Sequence, residues 1–372
     1  MFDRSAVCSA TSRTDTVERR LSITYPWFAK PQGVARATPE TPRKFWTALT
    51  LNAEQDAAVD LSVIIVNYNT AHLLGQMWAA LMRARDDLSL QVIVVDNASR
   101  DNSVSLLRRE FGQAQLIVND TNVGFGRANN QASALATGRY VLLLNTDAFV
   151  APDTLRKTVD YMDAHSDCGV LGVRLIGVDG ELQPSCRYFP TPWNVFLARS
   201  GTARFFPKVQ MVDDMGWDHA SVRDCDWVVG CYYLVRREVI AEVGLFDPRY
   251  FLYCEEVDHC QAVKRAGWKV VYFPSTSVVH LGGESAKSEG ALTAGQQISA
   301  LQIESELLYF RKHLGVFGVL RSVLLATLAD GILAFKQVVR LRGVDGLAGL
   351  WRRQLVLYSL VARTGLGRRQ TR

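Results

Sequence analysis

The chain has 372 residues, 48% apolar and 21% charged, which supplies a full core and excludes wholesale disorder or a collagen-like or low-complexity build. The net charge of +5 hides an asymmetry: residues 311–372 hold 12 Lys and Arg against 2 Asp and Glu, whereas residues 1–310 hold 30 against 35. A mildly acidic body therefore carries a basic tail, and no nucleic-acid-binding module accompanies that charge, so nucleic acid is not an expected partner.

Residues 1–59 show no sustained period and are punctuated by Pro31, Pro39 and Pro42. They read as a partly disordered N-terminal extension, and the opening Met1-Phe2-Asp3-Arg4-Ser5 lacks the order of a secretory signal. Leu61-Ser62-Val63-Ile64-Ile65-Val66 is a β-branched run of the kind that forms a strand buried on both faces. A helix is predicted over 70–85, with Leu73, Leu74, Met77 and Leu81 at helical spacing, then a strand from Gln91 to Asp96. Further helices are predicted over 103–111 and 127–136, and strands over 115–118 and 140–144. Such alternation with short turns predicts βαβ units, hence an α/β fold with a Rossmann-like, mostly parallel sheet flanked by helices. The seven cysteines form no CxxC pair and read as reduced thiols.

In such sheets ligands sit beyond the carboxyl ends of the strands. Three of those ends are polar: Asn67-Tyr68-Asn69, Asp96-Asn97-Ala98-Ser99 and Asn145-Thr146-Asp147. Asn and Asp are also good turn residues, so one cluster alone says little; three in one unit point to a shared crevice. Asp96 suits a nucleobase imide or a ribose hydroxyl. The Asn122-Val123-Gly124-Phe125-Gly126 turn, which opens a helix containing Asn129, suits the close approach of an anion. Its spacing is not that of a dinucleotide fingerprint, and no Walker lysine motif is present. Asp147 is a hard oxygen ligand and Asn145 a weaker one; beside a diphosphate, Mg²⁺ or Mn²⁺ is the expected ion, with His280 as the candidate further ligand.

The order of these pieces resembles the inverting family 2 glycosyltransferases of the GT-A fold, over about Leu61 to Ser285. Its closest sub-group is the rhamnosyltransferase-like enzymes of bacterial cell-surface polysaccharide assembly. The residues that carry the resemblance are Val63–Asn69, Val94-Val95-Asp96-Asn97-Ala98-Ser99, Asn122–Gly126, Leu144-Asn145-Thr146-Asp147 and Trp227-Val228-Val229-Gly230. They continue through Phe246-Asp247, Glu255-Glu256-Val257-Asp258 and His280-Leu281-Gly282-Gly283-Glu284-Ser285. The resemblance implies donor contacts from Asn67, Asn69, Asp96, Asn122, Gly124, Asn129 and Asn145. It implies Asp147 and His280 at the metal, with Asn145 where the family's first Asp stands. It places Glu256 as the base, Glu where Asp is usual, and Trp227, Gly230, Glu255 and Asp258 on the acceptor side, with the Arg187-Tyr188-Phe189-Pro190 stretch and Trp193 as a possible wall.

The implied reaction is inverting, metal-dependent transfer of a sugar, with rhamnose in view, from a dTDP- or UDP-linked donor to a glycan or lipid-linked acceptor. A nucleotidyltransferase would ordinarily carry a glycine-rich phosphate loop with a lysine near the first strand, and Asn67-Tyr68-Asn69-Thr70 offers none. A catalytically silent, membrane-attached module that binds sugar nucleotides is the other alternative. The expected division is 1–59 extension, 60–303 transferase domain and 304–372 basic, apolar helical tail. Arg321, Asp330, Lys336 and Arg340 interrupt the tail's apolar stretch, which argues for helices lying on an anionic membrane surface rather than crossing it. That places the protein in the cytoplasm, peripheral on the inner face of the cell membrane.

Overall fold

The computed structural model describes residues 59–282, 294–339 and 345–372. All but the last residue of the expected N-terminal extension, and Gly283-Glu284-Ser285 of the last motif, lie outside the described residues. The first half follows the expected alternation: β1 (Leu61–Asn67), α1 (Ala71–Ala84), β2 (Leu90–Asp96), α2 (Ser103–Glu110), β3 (Gln115–Val118), α3 (Phe125–Ser133) and β4 (Tyr140–Leu144). β3, β2, β1 and β4 lie side by side in that order, all parallel. Alternate residues of β1 go to opposite faces: Leu61, Val63 and Ile65 to one core, Ile64 to the other, each with no exposed surface. Two buried faces explain the unbroken apolar run, and each Ile so buried contributes about 2 kcal/mol.

The second half makes the sheet mixed. It comprises β5 (Ala148–Val150), α4 (Thr154–Ala164), β6 (Cys168–Ile176), β7 (Leu182–Gln183), α5 (Pro192–Ser200), β8 (Arg223–Asp224), β9 (Tyr232–Arg236), α6 (Arg237–Val243), α7 (Glu255–Arg265) and β10 (Lys269–His280). The sheet continues β4-β9-β6-β10-β5, with β9 antiparallel to both its neighbours, β10 parallel to β6, and β5 antiparallel to β10. This return brings the ends of β5 and β10 beside the end of β4, where the predicted crevice lies.

Two helices follow: α8 (Ala294–Val339), broken at Gly315 where φ is +71°, and α9 (Asp345–Arg363). α8 runs straight through the expected domain boundary at 303/304. Ile303, Leu307, Leu308, Tyr309 and Phe310 are buried in the same core as α3 and α7. The first half of α8 is thus part of the same folded body as the sheet. Beyond the break, Val319 and Ala329 pack inward while Phe317, Leu320, Leu324, Leu328, Phe335, Val338 and Val339 are exposed, with Trp351, Leu355 and Tyr358 exposed on α9.

Candidate active site

The three polar strand ends do meet, through a buried ladder. Asp96 accepts from Asn67 Nδ2 (2.7 Å), and Asn67 Oδ1 accepts from the Thr70 hydroxyl (2.8 Å). That hydroxyl lies 2.9 Å from the hydroxyl of Thr146, so the ends of β2, β1 and β4 are one hydrogen-bonded unit. Asn67 and Asp96 have no exposed surface, and the other Asp96 oxygen accepts from Ser99 N (3.0 Å). Their expected direct contact with a donor is corrected accordingly: they organise the crevice floor from within. Asn69, at φ +53°, ties its loop to the next, its N–H donating to Ser99 Oγ and its Oδ1 accepting from Arg100 N.

Asn97 is a hub that the sequence did not single out as a site residue. Its Oδ1 accepts from Val123 N and from Asn119 Nδ2, while its Nδ2 donates to Asn122 Oδ1. Asn122 Oδ1 also accepts from Gly124 N (3.0 Å), closing the turn. Gly124 has φ +90°, and a Cβ there would fall 2.5 Å from the carbonyl oxygen of Phe251, which accepts from Phe125 N (2.8 Å). Only glycine allows this approach. The turn is thereby stapled to the segment that leads into α7. Asn129, expected at the donor, is instead buried and donates to Phe125 O within its own helix.

The loop after β4 carries Asn145, half-buried, and Asp147, 5% exposed. Leu281 N donates to Asp147 O (3.0 Å), which docks the end of β10 onto this loop. His280 Nε2 consequently lies 3.7 Å from Asp147 Oδ1, bringing together the two expected metal ligands. Burial holds the His280 imidazole below its ordinary pKa, against the upward pull of the Asp147 charge. Among the described residues no group of three or more His, Cys, Asp or Glu side chains could hold a metal alone. A carboxylate and an imidazole of this kind fit an ion that completes its shell from diphosphate oxygens and water.

The other part of the site is α7. Tyr253 and Cys254, at φ +74° and +67°, form a left-handed turn immediately before it. Such backbone costs on the order of 1–3 kcal/mol per residue and clusters at functional sites. Glu255, Glu256 and Asp258 occupy the first turn and Lys264 and Arg265 the last, matching the helix dipole. Residues two apart on a helix point about 200° from one another, so Glu256 and Asp258 take opposite directions. Glu256 is half-buried; burial pushes its carboxyl up, opposed by its own backbone N–H, by the Arg187 charge and by the N–H of Gly230. Cys231, next in sequence to Gly230, accepts through its carbonyl from Asn145 N (3.0 Å). Two adjacent residues thus hold the candidate base through the N–H of Gly230 and the candidate metal loop through the carbonyl of Cys231.

Asp258 is corrected from the acceptor side to a clamp: Lys312 Nζ lies 2.6 Å from its Oδ2 and His313 Nε2 2.6 Å from its Oδ1. Glu255 is buried, and burial followed by the neighbouring Glu256 charge holds its carboxyl well above the usual range. It offers no acceptor surface. Trp227 is 6% exposed, donates through Nε1 to Tyr188 O (2.9 Å) and lies under the Arg187 guanidinium, 4.9 Å from the ring centre. Arg187, which pairs with Asp213 at 2.8 Å, and not the indole, is therefore the polar group presented near Glu256. Trp193 stacks on Phe196 in a cluster with Ala329 of α8, a packing role.

Residues 62–215 match the family model for glycosyl transferase family 2. The chain carries a family 2 glycosyltransferase domain. It is similar to an N-acetylglucosaminyl-diphospho-decaprenol L-rhamnosyltransferase of Mycobacterium tuberculosis, 28% identical over 237 residues, which is 59% of this chain and 75% of that one. It is also similar to the rhamnosyltransferase WbbL of Escherichia coli, 27% identical over 208 residues, 52% and 74% of the respective chains. Among solved structures, a mannosyltransferase from Pyrobaculum calidifontis in complex with GDP-Man and Mn²⁺ aligns with a TM-score of 0.48 and 17% identity over 85% of this chain and 93% of that one. The chain has the expected α/β architecture, with a mixed sheet, and residues 62–215 match the family that the motifs resemble.

Proposed function

We propose that the protein is an inverting glycosyltransferase that moves a deoxyhexose of the rhamnose type from a nucleoside diphosphate to a lipid-linked glycan acceptor in cell-surface polysaccharide assembly. The observation that carries this reading is that two adjacent residues, Gly230 and Cys231, hold Glu256 and the loop of the Asp147–His280 pair side by side at the carboxyl end of β4. The names of the two rhamnosyltransferase relatives support the sugar, and the mycobacterial one the acceptor class.

The acceptor hydroxyl attacks the anomeric carbon; its proton passes to the Glu256 carboxylate as the new C–O bond forms, and the electron pair of the breaking C–O bond leaves with the diphosphate. A carboxyl raised by burial is a better base near neutral pH than an ordinary one. Gly230 N–H fixes its direction and Arg187 favours its ionised form before the proton arrives. Asp147 and His280 would hold Mg²⁺ or Mn²⁺, which when bound supplies positive charge for the leaving diphosphate. Gly124 lets its turn pack against Phe251 O at the segment leading into α7, and the Asn97–Asn122 pair keeps that turn closed.

α8, over Ala300–Val339, is long and apolar enough to cross a membrane, with mean hydropathy 1.8. Its second half is nevertheless bound lengthwise to the catalytic body: Asp330 is buried and paired with Arg199 and Arg353, and Lys336 donates to Ser200 O (2.6 Å). This supports a peripheral reading in which the Phe317–Val339 face and Trp351, Leu355 and Tyr358 meet an anionic bilayer on its cytoplasmic side. The test is a donor screen that measures nucleoside-diphosphate release with and without a polyprenyl-diphosphate glycan. Release that no acceptor accelerates, across dTDP-, UDP- and GDP-sugars, would leave a binding module instead of an enzyme of this class.

A further inference from the structure

We propose that Gln183 is the positioning residue of the cation site: it fixes the tautomer of His280 and thereby aims the lone pair of Nε2 at Asp147. The proposal rests on the reading of Asp147 and His280 as cation ligands. β7 is only two residues long and pairs antiparallel with the end of β6, Gln183 opposite Leu175. β6 runs parallel to β10 with Leu175 opposite Val278, so Gln183 sits beside the strand end that carries His280. Its carboxamide grips that one residue twice. Nε2 donates to the His280 carbonyl oxygen (2.9 Å), and Oε1 lies 2.9 Å from His280 Nδ1.

The two contacts leave one assignment of hydrogens. A backbone carbonyl only accepts, so the amide nitrogen of Gln183 must face it and the amide oxygen must face the ring. That oxygen also only accepts, so Nδ1 must carry the proton, and in a neutral ring Nε2 then holds a lone pair. Nε2 points toward Asp147 Oδ1 across 3.7 Å, with the two side chains 14% and 7% exposed. A lone pair facing a carboxylate repels it, and at that separation no hydrogen bond forms. A shared cation turns the repulsion into attraction. Histidine ligands of metals ordinarily have their second nitrogen held by such an outer partner, whose loss weakens binding about 10–100-fold. The sequence alone gave no sign of this, because Gln183 is 97 residues from its partner and part of no motif.

The experiment uses the full chain labelled with ¹⁵N-histidine, with the His280 resonances identified by their loss in His280→Gln. Two-bond ¹H–¹⁵N correlation should show His280 with the proton on Nδ1 in the metal-free protein, and a mixture or the opposite tautomer in Gln183→Leu. Calorimetry of Mn²⁺ in the presence of a nucleoside diphosphate should show affinity about 10–100-fold lower in Gln183→Leu. Pulsed EPR of the same labelled chain should show ¹⁵N coupling to Mn²⁺ in the wild type and in Gln183→Glu, which still accepts from Nδ1–H, and should lose it in Gln183→Leu. Should the Leu variant unfold, Gln183→Asn, one methylene short of both contacts, gives the same readings. A Leu or Asn variant with wild-type tautomer and Mn²⁺ affinity overturns the proposal and leaves Gln183 as a strand pin. A wild type that binds no Mn²⁺ with the diphosphate overturns the cation site itself, and the role of Gln183 with it.

Discussion

Two carboxylates two residues apart compete for the role of base, and the structure makes their replacements behave oppositely. Glu256→Gln keeps the shape and the Gly230 contact but removes the proton acceptor, so turnover should fall about 10²-fold or more, the ordinary contribution of a general base. Donor affinity and melting temperature should hardly change, since Glu256 pairs with no cation at contact distance among the described residues. Asp258→Asn should do the reverse. Its carboxylate and His313 are 4% and 3% exposed, and breaking such a buried pair costs about 3–5 kcal/mol. Lys312 is one-third exposed and keeps Asp247 at 2.8 Å, so the low end, about 3 kcal/mol, applies. At about 2 °C per kcal/mol for a chain of this size, the melting temperature should drop by about 6 °C, with turnover below that temperature within about tenfold of wild type. The assays are nucleoside-diphosphate release under saturating donor and thermal unfolding of the same preparations. The pH profile adds a further reading. Only ionised Glu256 accepts a proton, so activity falls as pH drops through its pKa, and burial places that acid limb above the usual carboxylate value of about 4.3. Glu256→Gln should abolish the limb. Wild-type turnover in Glu256→Gln, or a 10²-fold loss in Asp258→Asn without loss of stability, would refute the assignment.

Asp147→Ala should abolish the gain in nucleoside-diphosphate affinity that Mn²⁺ gives; a calorimetric gain equal to wild type would remove it from the site. Gly124→Ala places a methyl 2.5 Å from Phe251 O at φ +90°, so stability should fall by at least about 1 kcal/mol and donor affinity with it, measured by urea unfolding and calorimetry. Leu324→Glu with Phe335→Glu, at positions 68% and 69% exposed, should leave the melting temperature unchanged yet reduce co-sedimentation with anionic liposomes; unchanged sedimentation would count against the membrane face. Truncation near Lys312 cannot serve that purpose, because Leu357 and Leu360 of α9 are buried in the catalytic core and Thr371 bonds Glu304. Burial lowers the pKa of His259 to about 4, below an unfolded value of about 6.5. The unfolded chain binds that proton first, so this group's stability is present above about 6.5 and is lost as pH falls toward 4; about 2 kcal/mol should disappear between pH 7 and 5. A His259→Gln variant with the same pH slope in urea unfolding would contradict this.

The chain by itself determined the β1-α1-β2-α2-β3-α3-β4 series, because a strand buried on both faces must be apolar throughout and a helix must repeat near 3.6. It also determined the polar strand ends and pointed to Glu256 as the proposed base and to Asp147 and His280, which the fold brings within 3.7 Å, since residue types with few alternative uses recur there in a family order. Tertiary structure decided the rest. Asp96, Asn67 and Asn129 have the right chemistry for a donor, but burial turned them inward, and burial is set by what packs above a residue and not by its own identity. Asp258 was separated from Glu256 by the helical turn and taken up by Lys312 and His313, some 55 residues later. Asn97, Arg187 and Gln183 acquired their roles from partners distant in sequence, which no local period can reveal. The basic tail looked separable because its composition differs from the body's; yet the first half of α8 lies in the catalytic core, since composition records how much apolar surface a helix has and only packing decides which side is covered.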